Sequence, residues 1–186
     1  MFDRRQIPNL LTLSRIACGM AVFALMAALA GGGARGLADW AFALFALGAV
    51  TDFFDGWLAR RWQAASAWGT ALDPIADKIA VLAAVLGLVL AGAGAEVAIP
   101  GFLILFREVF VSGLREAGAG RGVKLPVTWL AKWKTTVQLV ALSLALLATG
   151  LESGPLALAA TLLLWLAAAM TLWTGVQYAR AFNRAA

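Results

Sequence analysis

The chain has 186 residues, of which 62% are hydrophobic and only 13% charged, with 15 basic and 10 acidic side chains. Soluble domains usually contain about 45–50% apolar residues, so this composition excludes a soluble globular domain and predicts an integral membrane protein. The chain has no histidine and one cysteine, which excludes histidine-based catalytic triads, zinc–histidine sites and an intrachain disulfide.

Six stretches of the chain are apolar enough to cross a membrane as helices, and their lengths are close to the roughly 20 residues that a span requires. Breaks rich in glycine or charge separate them, and no linker or repeat divides the chain. The sequence therefore predicts one all-α membrane domain over residues 1–186. The six predicted spans are Asn9–Ala30, Leu37–Ala59, Thr70–Ala91, Ile99–Leu114, Val127–Ala148 and Pro155–Tyr178.

The first predicted span has an alternative interpretation. Two arginines, an apolar run and the small residues of Ala28–Ala30 are also the features of a secretory signal with its cleavage site. Asn9, Thr12 and Arg15 interrupt the apolar run, and the stretch is long for a signal, so we interpret it as a retained span. These three polar residues either line a ligand pocket or hold the helix against a neighbour.

Basic residues indicate how the spans are oriented. In the six-span arrangement one side carries nearly all of the arginine and lysine, whereas the opposite loops carry Arg35 with Asp39, Glu96 and Glu152. Because cytoplasmic loops are enriched in basic residues, both termini are predicted to be cytoplasmic. The basic residues form no run interleaved with aromatic side chains, which argues against a nucleic-acid partner.

Four aspartates stand where the second span ends and the third begins. Asp52 and Asp55 are three residues apart and Asp73 and Asp77 are four apart, so each pair shares one face of its helix. A short loop makes the two spans antiparallel neighbours and brings the four carboxylates to similar depth. An ionised carboxylate costs roughly 2.5–3.5 kcal/mol at the centre of a membrane span, so positive charge must accompany the cluster.

Divalent metal ions are the expected source of that charge. A set of ligands made only of oxygen atoms suits Mg²⁺ or Mn²⁺ rather than zinc or copper. Four carboxylates can hold two such ions, as in phosphoryl transfer. The alternative is helix–helix ion pairing with Arg60, Arg61 and Lys78, which would explain one acid better than four in this register.

The residues beside the acids are suited to a nucleotide. Gly56 and Ala59 lie on the same stripe as Asp52 and leave room for a bulky ligand, as Gly69 does on the facing helix. Arg60 stands at the mouth of this site and can hold a phosphate through two parallel hydrogen bonds.

The pattern D-x-x-D-G-x-x-A-R, then eight residues, then G-x-x-x-D-x-x-x-D runs from Asp52 to Asp77. It resembles, without a departure, the signature of the CDP-alcohol phosphotransferase family. This resemblance implies a six-helix membrane fold, usually a homodimer, with two Mg²⁺ or Mn²⁺ ions near the cytoplasmic surface. It also implies a reaction in which an alcohol displaces CMP from a CDP-linked donor.

The resemblance further implies roles for the matching residues. Asp52, Asp55 and Asp73 would bind one metal ion, Asp52, Asp73 and Asp77 would bind the other, and Asp77 would also act as the general base. The residues expected to bind the CDP group are Asn9, Thr12, Asp55, Gly56, Ala59, Arg60, Gly69 and Thr70.

Segment 7–15 resembles the opening of two branches of this family, whose acceptors are sn-glycerol 3-phosphate and phosphatidylglycerol. Segments 107–116 and 132–138 resemble the glycerol 3-phosphate branch more closely. Arg107 lies midway along the fourth span, where a charge is expensive unless it faces a wet, anionic cavity. A phosphate on the acceptor would give such cations a partner, although lysines near a helix end can also reach lipid headgroups. The expected acceptor-phosphate residues are Arg107, Arg115, Lys132, Lys134 and Thr135.

The expected function is transfer of the phosphatidyl group from CDP-diacylglycerol to sn-glycerol 3-phosphate, which yields phosphatidylglycerol phosphate and CMP. A CDP-dependent cardiolipin synthase, with phosphatidylglycerol as acceptor, is the alternative enzyme. A divalent-cation carrier is disfavoured, because the acids lie at one membrane face and the outer halves of the spans are apolar. The resemblance implies a bacterial inner-membrane protein surrounded by membrane lipids, with its active site facing the cytoplasm.

Overall fold

The computed structural model of the chain describes residues 7–62, 67–120 and 129–185. Within these ranges the side chains of residues 7–9, 11, 52–62, 67–71, 131, 132 and 185 lie outside the described part. The described residues form six α-helices and no strand, which confirms the prediction of an all-α protein. The helices are α1 (Ile7–Ala30), α2 (Gly36–Trp62), α3 (Ala67–Leu90), α4 (Ala95–Ala119), α5 (Trp129–Leu151) and α6 (Gly154–Ala185).

Each predicted span coincides with one of these helices, and α4 extends beyond its predicted span at both ends. Alanine, glutamate and arginine flank that apolar run and are good helix formers, so the helix continues into the polar residues. Among the described residues, four stretches are long and apolar enough to cross a membrane by length and composition. They are Thr12–Ala30, Ala95–Ala119, Trp133–Leu151 and Gly154–Arg184, while α2 contributes the shorter apolar stretch Gly36–Thr51.

Glycine in the left-handed conformation ends two of the helices. Gly32, after α1, has φ +93°, and Gly92, after α3, has φ +101°. In both turns the amide that follows this glycine donates a hydrogen bond to the carbonyl five residues earlier in the chain. Gly33 donates to the carbonyl of Ala28, and Ala93 donates to that of Leu88. This Schellman geometry satisfies carbonyl groups that the helix end would otherwise leave unpaired.

Among the described residues α3 packs against α1, α4 and α5, whereas α2 packs against α1 and α5, and α6 against α4 and α5. α1 and α3 run in the same direction, since their contacting residues advance together along both helices. The contacting pairs are Thr12 with Asp73, Gly19 with Ala80, and Met26 with Gly87. The buried core of small and aliphatic side chains includes Val22, Met26, Ala84, Leu88, Ile104, Leu142, Leu146 and Leu164.

Small residues allow the closest helix contacts, as is common between helices in membranes. At Gly101 of α4, an added Cβ would lie 2.5 Å from Cγ1 and 2.9 Å from Cγ2 of Val85 on α3. Val85 is a buried core residue. The contact therefore depends on the absence of a side chain at position 101.

We expect Gly101→Ala to lower the free energy of unfolding by about 1–3 kcal/mol, the usual cost of overpacking a core. The measurement is the unfolding midpoint of the purified protein in detergent. Gly113→Ala on the same helix is the matched control, because an added Cβ there meets nothing within 4 Å. Equal midpoints for the two variants would contradict the close α3–α4 contact.

Large apolar side chains on the outer surface are suited to lipid. Phe102, Phe106 and Phe110 follow one another along α4, with neighbouring ring centroids 6.2 and 6.1 Å apart, and all three are exposed. Exposed apolar patches of this kind are rare on soluble monomers and mark interaction with lipid or protein. They agree with the membrane character predicted from composition.

Arg35 and Glu152 form an ion pair at the end of the bundle where α1 finishes, with Nη1 of Arg35 2.6 Å from Oε2 of Glu152. Both side chains are exposed, and such surface pairs usually contribute about 0.2–1 kcal/mol. The pair joins the α1–α2 turn to the α5–α6 turn. It also neutralises Arg35, the one basic residue that the sequence analysis assigns to the loops opposite the cytoplasmic side.

Candidate active site

A cavity of about 310 Å³ lies among helices α1 to α5, which is within the usual range for a small-molecule site. Part of its lining is apolar and includes Val22, Leu44 and Phe45. Polar and charged side chains of α1 and α3 line another part, and those of α4 and α5 a third. The cavity thus has one apolar wall and two polar walls. The first polar wall consists of the polar lining side chains of α1 and α3, and the second polar wall of those of α4 and α5.

The first polar wall carries two of the predicted carboxylates. Asp73 and Asp77 both line the cavity, one helical turn apart on α3, which confirms that they share a face. Oγ1 of Thr12 donates to Oδ1 of Asp73 at 2.6 Å. Nη1 of Arg15 lies 3.1 Å from Oδ1 of Asp77, with Arg15 buried and Asp77 half exposed. Thr12 and Arg15, which interrupt the apolar run of α1, therefore face the acids of α3.

α2 approaches the same cavity. Phe45, Gly48 and Ala49 contribute to its lining, and Asp52 follows three residues after Ala49 on the same helix. Residues three or four apart share a helix face, so the helical spacing carries this face on to positions 52, 55 and 59. The described lining of α2 ends at Ala49, so a place for the acidic segment at the cavity stays a prediction.

Several predicted site residues have side chains outside the described part of the chain. They belong to the end of α2, the start of α3, the start of α1 and the start of α5. Convergence of all four aspartates therefore stays a prediction. Among the described side chains, no group of three or more acidic or cysteine residues surrounds a possible metal position. The predicted site residues whose side chains lie outside the described part are Asn9, Asp52, Asp55, Gly56, Ala59, Arg60, Gly69, Thr70 and Lys132.

The second polar wall includes Glu108, and the cationic side chains of Arg107 and Lys134 lie behind it. Oε1 of Glu108 accepts hydrogen bonds from Nζ of Lys134 and, at 3.4 Å, from Nη1 of Arg107. Arg107 and Lys134 are 5% and 4% exposed, whereas Glu108 reaches the cavity. A buried cation is strongly destabilising without a counter-charge. Glu108 supplies that charge to both residues.

Arg107 is held from the side of α6 as well. Its Nη2 donates to Oγ1 of Thr174 at 2.9 Å, and its guanidinium lies 5.4 Å from the ring centroid of Tyr178. Arg115 uses the same tyrosine: Nη2 donates to the Tyr178 hydroxyl at 2.7 Å, and its guanidinium carbon lies 4.9 Å from the ring centroid. The buried side chain of Tyr178 therefore joins buried Arg107 to exposed Arg115.

The five predicted acceptor-phosphate residues occupy different positions. Arg115 and Thr135 line the cavity. Arg107 and Lys134 are not among its lining residues and lie behind Glu108. The burial of Arg107 is thus compensated by Glu108, Thr174 and Tyr178, rather than by direct exposure to an anionic cavity.

Glu108, Tyr178 and Gln138 are not among the site residues predicted from the sequence. The role of Glu108 could have been predicted from the sequence, because an acid beside an arginine inside an apolar span indicates that the two charges compensate each other. Tyr178 is the single tyrosine of the chain, but it meets Arg115 across 63 positions, a pairing that no local pattern predicts. Gln138 lines the cavity beside Thr135, one turn away on α5.

The chain matches the family model described as CDP-alcohol phosphatidyltransferase over residues 5–173. It belongs to this family, as the spacing of its aspartates predicted. Together with the apolar helices, this membership identifies a membrane protein.

Three curated relatives are named CDP-diacylglycerol–glycerol-3-phosphate 3-phosphatidyltransferase. The relative from Cereibacter sphaeroides is 51% identical over 150 residues, which cover 78% of this chain and 65% of that protein. The relative from Rickettsia bellii is 42% identical over 179 residues and 96% of both chains. The relative from Haemophilus influenzae is 39% identical over 137 residues, 73% of this chain and 72% of its own length.

Proposed function

We propose that this chain is an enzyme that transfers the phosphatidyl group from CDP-diacylglycerol to sn-glycerol 3-phosphate, releasing CMP and phosphatidylglycerol phosphate. The observation that carries the proposal is one cavity lined by the carboxylates Asp73 and Asp77 of α3 and by the guanidinium of Arg115 of α4. The names of the relatives, which describe the same donor and acceptor, support it.

The proposed setting is a bacterial inner membrane, in which residues 1–186 form one domain of six spans with both termini in the cytoplasm. In this proposal α2 and α3 also cross the membrane, although their acidic residues lower the hydropathy of their cytoplasmic ends. The active site faces the cytoplasm, where the basic residues are concentrated. Membrane lipids surround the outer apolar faces, and the enzyme works as a homodimer.

Asp52, Asp55, Asp73 and Asp77 would hold two Mg²⁺ or Mn²⁺ ions in this proposal. The described pair fits hard cations, because Asp73 and Asp77 are neighbouring oxygen ligands at the wall of a cavity without histidine. When bound, such ions supply positive charge against the pyrophosphate of the donor. The residues that would bind the CDP group are Asn9, Thr12, Asp55, Gly56, Ala59, Arg60, Gly69 and Thr70.

The reaction forms a bond between the 1-hydroxyl oxygen of the glycerol and the phosphorus of the phosphatidyl group. The bond from that phosphorus to the oxygen of CMP breaks, and CMP leaves with the electron pair. Asp77 takes the hydroxyl proton on its carboxylate, since a general base must reach the proton that it removes. Arg15 holds Oδ1 of Asp77 in position.

The acceptor phosphate lies against the second polar wall. Arg115 and Thr135 donate to it from the lining, and Lys132, in the first turn of α5, would add a further positive charge. Arg107 and Lys134 act from behind Glu108, where their two charges exceed the single charge of that acid. The wall therefore attracts an anion although Glu108 faces the cavity.

The test is CMP release by the purified enzyme, with CDP-diacylglycerol as donor and sn-glycerol 3-phosphate or phosphatidylglycerol as acceptor. We expect release with the water-soluble phosphate and none with the lipid. Release with phosphatidylglycerol alone would identify a cardiolipin synthase instead. If neither acceptor supported release while the protein moved Mn²⁺ across proteoliposomes, a cation carrier would replace the enzyme.

The contact between Tyr178 and Arg115 predicts an effect on acceptor binding. Tyr178→Phe removes only the hydroxyl that accepts from Nη2 of Arg115. A hydrogen bond to a charged group contributes about 1.5–3 kcal/mol, so we expect KM for glycerol 3-phosphate to rise about tenfold or more. KM for CDP-diacylglycerol should stay unchanged in the same assay.

Trp173→Phe is the control for this prediction, because Trp173 is an exposed aromatic residue of α6. A rise in both KM values for Tyr178→Phe would mean that Tyr178 only maintains the fold. A change of the same size in Trp173→Phe would also contradict a specific role for the Tyr178 hydroxyl.

A further inference from the structure

Gln138 has a buried oxygen atom that lacks a partner. The residue lies on α5, is 3% exposed and contributes to the cavity lining. Its Oε1 is buried and accepts no hydrogen bond from the part of the chain that the structure describes. More than about 90% of buried polar groups are paired, so an unpaired oxygen on a residue of the cavity lining requires an explanation.

The chemistry of this oxygen limits what can pair with it. An amide carbonyl only accepts hydrogen bonds, so its partner must be a donor. The acceptor's phosphate has no proton to offer when doubly ionised, and Arg115 and Thr135 already provide donors for it. The remaining groups of glycerol 3-phosphate are its two hydroxyls, of which the 1-hydroxyl gives its proton to Asp77.

We propose that Gln138 accepts a hydrogen bond from the 2-hydroxyl of the acceptor and so determines specificity for a phosphorylated vicinal diol. The inference rests on the proposed function, because it assigns one group of the proposed acceptor. Gln138 thereby distinguishes glycerol 3-phosphate from a phosphorylated alcohol that has only the reacting hydroxyl.

The position of Gln138 on its helix suits this role. Thr135 and Gln138 both line the cavity and are three residues apart on α5, which corresponds to a separation of about 4.5 Å along the axis. In glycerol 3-phosphate, two carbon atoms join the ester oxygen of the phosphate to the 2-hydroxyl. When the phosphate lies near Thr135, the 2-hydroxyl can therefore lie further along α5, beside Gln138.

The experiment compares two acceptors that differ only at the proposed contact: sn-glycerol 3-phosphate and 3-hydroxypropyl phosphate, which lacks the 2-hydroxyl. With the wild-type enzyme we expect kcat/KM, measured as CMP release, to be about 10- to 100-fold lower for the second acceptor. This is the range for leaving one buried polar group unpaired. Equal values would overturn the inference without touching the proposed function, which requires only turnover of glycerol 3-phosphate.

Gln138→Met keeps the length of the side chain and removes the carbonyl. We expect the two acceptors to differ by less than about threefold in this variant, on the same scale, with the loss confined to glycerol 3-phosphate. Gln138→Asn, which keeps a shortened carbonyl, should retain part of the discrimination. Gln177→Met is the matched control, since Gln177 is exposed on α6.

Two readouts separate recognition from a structural role. If Gln138 only bound an ordered water or supported the helix, its substitution would slow both acceptors by the same factor and leave their ratio unchanged. That result would overturn the inference. An unchanged KM for CDP-diacylglycerol, together with a changed ratio, supports direct contact with the 2-hydroxyl.

Discussion

Replacement of Asp73 by asparagine is expected to reduce turnover by at least about 10²–10³-fold, the scale for losing one electrostatic contact to the reacting group. The side chain lies at the cavity wall and accepts a hydrogen bond from Thr12. Because an amide oxygen can still accept that bond, the variant should insert and purify like the wild type. The loss would therefore concern chemistry rather than folding.

Removal of divalent metal from the wild type should have the same consequence. We expect EDTA to stop CMP release and added Mg²⁺ or Mn²⁺ to restore it. Asp39→Asn is the control, because Asp39 is an exposed acid at the opposite end of α2, where it contacts Gly150. Turnover that persists in metal-free buffer would contradict the two-ion site, and turnover by Asp73→Asn would exclude this ligand from it.

Asp77→Asn is expected to lower kcat by about 10²–10⁴-fold, which is the usual contribution of a general base. Asparagine has nearly the same shape and can still accept from Nη1 of Arg15, which lies 3.1 Å from Oδ1 in the wild type. The position of the side chain should thus be kept while its capacity to take a proton is lost. Binding of CDP-diacylglycerol should weaken much less than turnover.

The measurement pairs kcat from CMP release with direct titration of donor binding to the purified variant. Near-wild-type turnover would show that another group removes the proton. A parallel loss of donor binding and turnover would assign Asp77 to the donor site instead. The same Asp39→Asn variant serves as control for the loss of one carboxylate.

Properties that depend on neighbouring residues in the chain were predictable from the sequence. The six helices follow from runs of apolar residues between glycine-rich breaks, because helix formation in a membrane depends on length and local polarity. The common face of Asp73 and Asp77 follows from a spacing of four residues. Family membership follows from the same local spacing, which the match over residues 5–173 confirms.

The partners of the cationic residues were not predictable in this way. The sequence pattern predicts that Arg107 and Lys134 meet a phosphate directly, whereas both lie behind Glu108. Arg107 also contacts Thr174, which is 67 positions away in the chain. Hydropathy shows that a charge in a span needs compensation, but it does not identify the compensating residue.

The sequence by itself determined the helices, the class of protein and the acidic face of α3, since each depends on residues within one or two turns. Only the tertiary structure decided which residues face the cavity. The rotation of each helix about its axis is set by distant close contacts, such as Gly19 against Ala80 and Gly101 against Val85. Gln138 lines the cavity and Arg107 lies behind Glu108, because packing rather than local spacing chooses the face that each helix turns inward.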